Sequence, residues 1–304
     1  MTHDHDTTEH GPTQDAVTST TTPAPSVSAE APDPSEGTEH LPAPGPWASY
    51  VAIGDSFTEG LWDREPGEAD QCRGWADLLA RSLSYRRIDA GKDPLLYANL
   101  AIRGKQLRSI LDHQLPAALG MTPDLVSIIG GGNDILRPSV DIDRLARSIE
   151  DAVVQIRATG ADVLLGTGFD ASESPLVGMT RGRAGILNSH LWSIAHRHGA
   201  YVLDLWGMRS LHDWRMWADD RIHLTTDGHR RVSQAALVGL GQATDDAGWD
   251  DPLTPLPPVP RIEWVRENAH WLREHVGPWA SRRLRRQSSG DSRTAKYPEL
   301  VPVV

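Results

Sequence analysis

Residues 50–60 read YVAIGDSFTEG. Tyr50 to Ile53 is a short apolar run of the kind that forms a buried strand, and Gly54-Asp55-Ser56 stops it abruptly. Ser56 therefore reads in two ways, as the cap of a following helix or as a side chain presented at the carboxyl end of a strand. The first run spans 49–54, and four more apolar runs of similar length follow, at 96–102, 125–130, 163–167 and 201–205. Between them lie segments with helical periodicity, at about 74–84, 105–115, 142–156, 183–198 and 227–241. The clearest carries Ile142, Leu145, Ile149, Val153 and Ile156 as one buried stripe. Short apolar strands alternating with helices indicate βαβ crossovers and a parallel sheet covered on both faces. This pattern predicts a flavodoxin-like three-layer α/β/α sandwich with a five-stranded parallel sheet, plus a C-terminal helical extension. In such folds ligands bind beyond the carboxyl ends of the strands, where Ser56 would stand.

The 304 residues divide by composition. Residues 1–45 are rich in Thr, Pro, Ser and Ala, with eight Asp or Glu and no Lys or Arg, and are expected to be a disordered acidic tail. That tail supplies −8 of the net charge of −11, leaving −3 for the remainder, so the acidity implies nothing about the substrate. Residues 46–245 hold the strand–helix alternation. Residues 246–286 comprise a proline-rich connector, DDPLTPLPPVP, and a tryptophan-rich helix. That helix is expected to lay an apolar stripe of Ile262, Val265, Ala269, Leu272 and Val276, widened by Trp264 and Trp271, on the domain's own surface; a dimer contact or a lid are the sharper alternatives. The Arg282–Arg286 cluster reads as a solvated end, and residues 287–304 as a disordered tail. No basic patch suggests nucleic acid. Neither a leader peptide nor a membrane-spanning segment is visible, and the single cysteine, Cys72, precludes an internal disulfide; the cytoplasm is the expected location. His3, His5 and His10 are too loosely arranged to be expected as a metal site.

Three further blocks fall at strand exits. NLAIRG places Gly104 after the second run, GGGND places Asn133 after the third, and DDRIHLTTDGH places Asp220 and His223, separated by two residues, past the fifth. A serine hydroxyl is a poor nucleophile near neutral pH and needs a base within hydrogen-bond reach. His223 suits that role, with Asp220 to fix its tautomer; Asp219 is the less favoured orienter because of its spacing. Backbone N–H groups of Ser56 and Gly104 and the Asn133 amide would serve as donors to an oxyanion. His229 is the rival base, but it follows a helix start at Thr225 and reads as structural. Trp214 and Trp217, just before the Asp-x-x-His block, are candidate walls of an acyl pocket.

GDSF, NLAIRG, GGND and DRIH in this order resemble the SGNH-hydrolase superfamily, the GDSL-type esterases and lipases, over about residues 48–241. The resemblance implies Ser56 as nucleophile and oxyanion donor, Gly104 and Asn133 as further oxyanion donors, and Asp220 and His223 as triad partners. Phe57 stands where the family name has leucine. The expected activity is hydrolysis of carboxylic esters with no metal or organic cofactor, on a small-molecule or lipid ester. Without an apolar insertion resembling a lipid lid, short acyl groups are favoured over long ones. A non-catalytic scaffold is the alternative, which the complete constellation argues against.

Overall fold

The computed structural model describes residues 45–63, 72–170, 177–257, 260–271, 273–274 and 290–304. His3, His5, His10, nearly all of the acidic stretch and the Arg282–Arg286 cluster lie outside the described residues. Five strands run parallel: β1 (Ser49–Gly54), β2 (Leu96–Asn99), β3 (Leu125–Ile129), β4 (Asp162–Gly166) and β5 (Tyr201–Leu203). Their order, β5-β4-β3-β1-β2, places β1 inside the sheet between β3 and β2, next to the point where the winding reverses. The helices are α1 (Ser56–Glu59), α2 (Trp75–Asp89), α3 (Leu107–Ser109), α4 (Leu115–Gly120), α5 (Gly132–Ile135), α6 (Ile142–Ala158), α7 (Arg181–His198), α8 (Thr226–Gly239) and α9 (Arg261–Trp271). A π turn, Ile110–Gln114, joins α3 to α4.

Strand alternation sorts the core into two layers. Val51, Ile53, Val126, Ile128, Val163 and Leu165 face α6 and α7, meeting Leu145, Ile149, Val153 and Leu191. Tyr50, Ala52, Leu125 and Leu164 face the other way, onto Trp75 and Leu79 of α2 and Val232 and Ala236 of α8. These are the two helical layers of the expected sandwich. None of the helices among the described residues is long and apolar enough to cross a membrane.

Two expectations need correction. A sixth strand, β6 (Tyr297–Pro302), pairs antiparallel with β2, within the stretch read as a disordered tail. Its sequence, YPELVP, carries two prolines, which argue against a central strand but are tolerated at an edge, where one side of the strand needs no partner. Val303 adds a bond to the Leu95 carbonyl at 2.9 Å. The sheet accordingly has six strands instead of five, the sixth covering what would be an open edge on β2. The second correction concerns α9. Ile262 is 79% exposed and Ala269 is exposed, while Leu272 and Val276 lie outside the described residues. Trp271, which widens the expected stripe, is buried at 4% exposed.

Candidate active site

β1 delivers Ser56 at its carboxyl end through a turn that only glycine can open. A Cβ on Gly54 would stand 2.6 Å from the Ile129 carbonyl oxygen and 2.6 Å from Thr58 Oγ1. The Gln114 side chain clamps this residue, accepting from Gly54 N at 2.8 Å and donating to Gly54 O at 2.9 Å. Asp55 caps α1, its carboxylate accepting from Phe57 N at 3.1 Å, and Ser56 is the first residue of the helix.

The Asp-x-x-His block forms a tight turn closed by the Trp217–Leu224 bridge and by Ala218 N donating to His223 O at 2.8 Å. Arg221, at its tip, has a left-handed backbone, φ 54°. Within this turn Asp220 Oδ1 accepts from Ile222 N and His223 N, each at 3.0 Å. Asp220 Oδ2 accepts from His223 Nδ1 at 2.6 Å, and His223 Nε2 lies 2.8 Å from Ser56 Oγ. Burial works against the Asp220 charge, but His223 and the two backbone N–H groups outweigh it and hold the carboxyl below its ordinary range. An ionised Asp220 accepts only, so Nδ1 carries the proton and Nε2 is left to accept from the Ser56 hydroxyl. Asp219 is exposed and makes no part of this chain of bonds. His229 is buried, with Nδ1 accepting from Trp75 N at 3.3 Å and Nε2 facing the Leu61 carbonyl at 3.4 Å. Burial pushes its pKa down to about 4 and makes it a neutral structural group.

Gly104 sits at φ 72° in the turn after β2, and Asn133 lies in the first turn of α5, behind Gly131 at φ 95°. The Asn133 amide donates to Asp55 Oδ2 and to the Lys105 carbonyl, both at 3.0 Å. Asp134 Oδ2 accepts from Leu107 N at 2.9 Å, so the two turns are laced together. Through Asp55 the amide is also tied to the cap of the serine helix. Burial raises the Asp55 pKa to about 6 despite the N–H of Phe57 and the nearby His223.

Several contacts of the site were not read from the sequence. Trp62, at φ 79°, donates its indole N–H to Asp220 Oδ2 at 2.8 Å. Trp271 donates its own to the Asp220 backbone carbonyl at 3.1 Å. Arg221 lies between the rings of Trp214 and Trp271, 5.4 and 5.3 Å from their centroids, and donates to Asn268 Oδ1 at 2.6 Å. The Glu59 carboxylate accepts from Arg103 N at 2.6 Å and Arg103 Nε at 2.8 Å, fixing the residue before Gly104. Burial opposes the Arg103 charge, but Glu59 overcomes that and raises its pKa. Lys296 donates to the carbonyls of Glu59 and Cys72, each at 2.7 Å, and to Asp77. Trp217 belongs to the core: it packs on Phe169 at 4.4 Å between centroids and donates to the Leu211 carbonyl.

A model of the GDSL-like lipase/acylhydrolase family matches residues 52–231, well over half of the chain. The chain belongs to that family. It is accordingly a hydrolase acting on esters, of the SGNH type. No curated protein matches the sequence. Among solved structures, LAE5, an alpha/beta hydrolase enzyme from the metagenome of Lake Arreo, Spain, is 24% identical with a TM-score of 0.53, covering 66% of this chain and 96% of its own. A catalytic mutant of Axe2, an acetylxylan esterase from Geobacillus stearothermophilus, is 20% identical with a TM-score of 0.53, covering 70% of this chain and 99% of its own. At these identities the likeness shows the fold alone, the same fold that carries the GDSL motif blocks here.

Proposed function

We propose that this hydrolase cleaves short-acyl carboxylic esters through an acyl-enzyme on Ser56. The observation that carries the reading is the continuous chain Asp220 Oδ2–His223 Nδ1, 2.6 Å, and His223 Nε2–Ser56 Oγ, 2.8 Å. In the first half-reaction Ser56 Oγ attacks the ester carbonyl carbon while its proton passes to His223 Nε2. The tetrahedral oxyanion is held by N–H groups of Ser56 and Gly104 and by the Asn133 amide, which exchanges its bond to the Lys105 carbonyl for one to the substrate. Collapse returns the carbonyl, and His223 gives its proton to the departing alkoxide. Water deprotonated by the same imidazole then attacks the acyl-serine, releasing the acid and restoring the hydroxyl. Asp220 stays ionised throughout and steadies the imidazolium.

Two points support this reading over a long-acyl or scaffold role. The catalytic mutants of Axe2 replace a serine, an aspartate and a histidine, the residue types joined here, and that enzyme is an acetylxylan esterase. The chain also lacks an apolar insertion resembling a lipid lid. The test is hydrolysis of p-nitrophenyl esters from acetate to palmitate, by wild type and Ser56→Ala in parallel. The expected result is a rate optimum at four acyl carbons or fewer, with the variant down by at least about a thousandfold. Equal rates in the two proteins would overturn the assignment of Ser56, and an optimum at palmitate would overturn the short-acyl reading.

A further inference from the structure

The carboxylate of Asp220 has about four acceptor sites on its two oxygens. Three are filled from within its own turn, by Ile222 N, His223 N and His223 Nδ1. These bonds fix the carboxylate relative to the imidazole, but the turn carries aspartate and histidine together. They do not fix either one relative to Ser56, which stands on a different element. The fourth acceptor site is filled by Trp62 Nε1 at 2.8 Å, from 158 positions upstream.

Trp62 is built onto the serine's own element. It follows the left-handed Gly60 that ends α1, and the adjoining residues are bonded back to that helix: Leu61 N donates to Ser56 O at 3.1 Å and Asp63 N to Gly60 O at 3.0 Å. Two other bonds link the same segments at the foot of the turn, Thr226 Oγ1 to Asp63 at 2.7 Å and His229 to Leu61 O. Among the described residues, the bond that reaches the carboxylate from outside its turn is the one from Trp62. The backbone adds an independent observation. Trp62 adopts φ 79°, a conformation natural to glycine and unfavourable for a bulky side chain. Such outliers persist where the surroundings over-determine them, and they gather at functional sites. Glycine would satisfy this turn without strain, so the indole is present in spite of the backbone.

We infer that Trp62 is a positioning residue, a cross-brace that sets the approach of the Asp220–His223 pair to Ser56 by hydrogen-bonding the aspartate from the segment that carries the serine. The inference rests on the triad reading above. Loss of the brace lets the acid–base turn drift from the nucleophile, and small misplacements of reacting groups are expensive in rate. The chemistry of binding is untouched, so the effect falls on kcat.

The test compares wild type, Ser56→Ala, Trp62→Phe and Trp62→Gly on p-nitrophenyl acetate, with thermal melting of each. Phenylalanine keeps the ring and removes the N–H; glycine removes the side chain and relieves the backbone. The expected result is a kcat about tenfold lower in Trp62→Phe, with KM within twofold and the melting temperature nearly unchanged, and a loss at least as large in Trp62→Gly. A kcat within twofold of wild type in either variant overturns the inference. So does a loss in both that tracks the melting temperature and vanishes on cooling, since that is the mark of a purely structural residue. Full activity in Ser56→Ala would instead bring down the triad reading, and this inference with it.

Discussion

Two regions meet at this site, and they meet it by different means. Residues 52–231, the part matched by the family, carry the groups we propose to react, at strand exits: Ser56 after β1, Asn133 after β3, Asp220 and His223 past β5. The described residues of the C-terminal segment, from α9 onward, instead hold the elements on which those groups stand. Trp271 and Asn268 hold the acid–base turn through the Asp220 carbonyl and Arg221. Lys296 holds the carboxyl end of α1 through the Glu59 carbonyl, and Gly290 lies directly on the Arg103 carbonyl, where a Cβ would come within 2.2 Å. Groups that do chemistry must be of fixed type at fixed places. Groups that brace can be any donor that reaches, so the two regions should respond differently to substitution.

The sharpest contrast comes from the acid. Asp220→Asn keeps the shape of the carboxylate but favours the wrong tautomer of His223, and kcat should fall by about 10³–10⁴-fold with little change in KM. Kinetics on p-nitrophenyl acetate alongside a melting curve would check it; a loss below about tenfold would mean that His223 is not oriented through this bond. Next in size is Glu59→Gln, at the seam between the two regions. It leaves the Arg103 guanidinium, whose side chain is 12% exposed, without its charge partner. Breaking one side of such a buried pair costs about 3 kcal/mol, to be read from the urea midpoint and slope. Activity should fall as well, because the same carboxylate holds Arg103 N next to Gly104.

The contrast also explains what was legible beforehand. The apolar run of β1, its break at Gly54 and the Asp-x-x-His spacing are local signals, and they placed Ser56, Asp220 and His223 where the structure bonds them. Trp62 gave no signal, because its partner is 158 positions away and nothing in its neighbourhood marks a donor. β6 was hidden by Pro298 and Pro302, residues that an edge strand accepts and a central one does not. Of the expected stripe of α9, Ile262 and Ala269 are exposed and Trp271 is buried; the bonds of Trp271 and Asn268, through an indole N–H and an amide oxygen, are of a kind that apolar periodicity does not report. The double engagement of Asn133 with Asp55 and Lys105 is a matter of loop geometry, which spacing cannot convey.

A third prediction separates the family region by pH. The folded His229 has a pKa of about 4, below its ordinary value of about 6.5, so as pH falls through 6.5 the unfolded chain takes the proton and the folded one does not. Its contribution is fully present above that pH and is lost by pH 4, a swing of up to about 3 kcal/mol. Asp55 acts in the opposite direction: its folded pKa of about 6 lies above the ordinary carboxylate value, so its buried charge destabilises at neutral pH and is relieved as pH falls through 6. The two offset each other between about pH 6 and 4. His229→Gln removes only the first, and its stability relative to wild type should rise by up to about 3 kcal/mol from pH 7.5 to pH 4, read from urea midpoints across that range. A pH-independent difference would mean that His229 carries a proton in the folded protein.

The smallest effect is the one that tests the C-terminal region alone. At Gly290 an added Cβ meets the Arg103 carbonyl oxygen at 2.2 Å and Ile102 Cγ2 at 2.7 Å, and the backbone oxygen cannot move without shifting the turn that carries Gly104. Gly290→Ala therefore has two ways to relax. If the C-terminal segment gives way, β6 keeps its pairing with β2 further along, the fold loses about 1 kcal/mol, and kcat stays within about threefold. If the turn gives way, Gly104 N–H is displaced from the oxyanion and kcat falls by up to about a hundredfold at nearly the same stability. We expect the first outcome. Glu59 fastens the turn to α1 through the Arg103 backbone and side chain. Gly120→Ala is the control: its backbone is not left-handed and an added Cβ there meets open space, so it reports a glycine-to-alanine change without a collision. A kcat loss in Gly290→Ala that the control lacks would show that the C-terminal segment and the oxyanion turn are mechanically one unit, and the division of labour between the two regions would have to be redrawn.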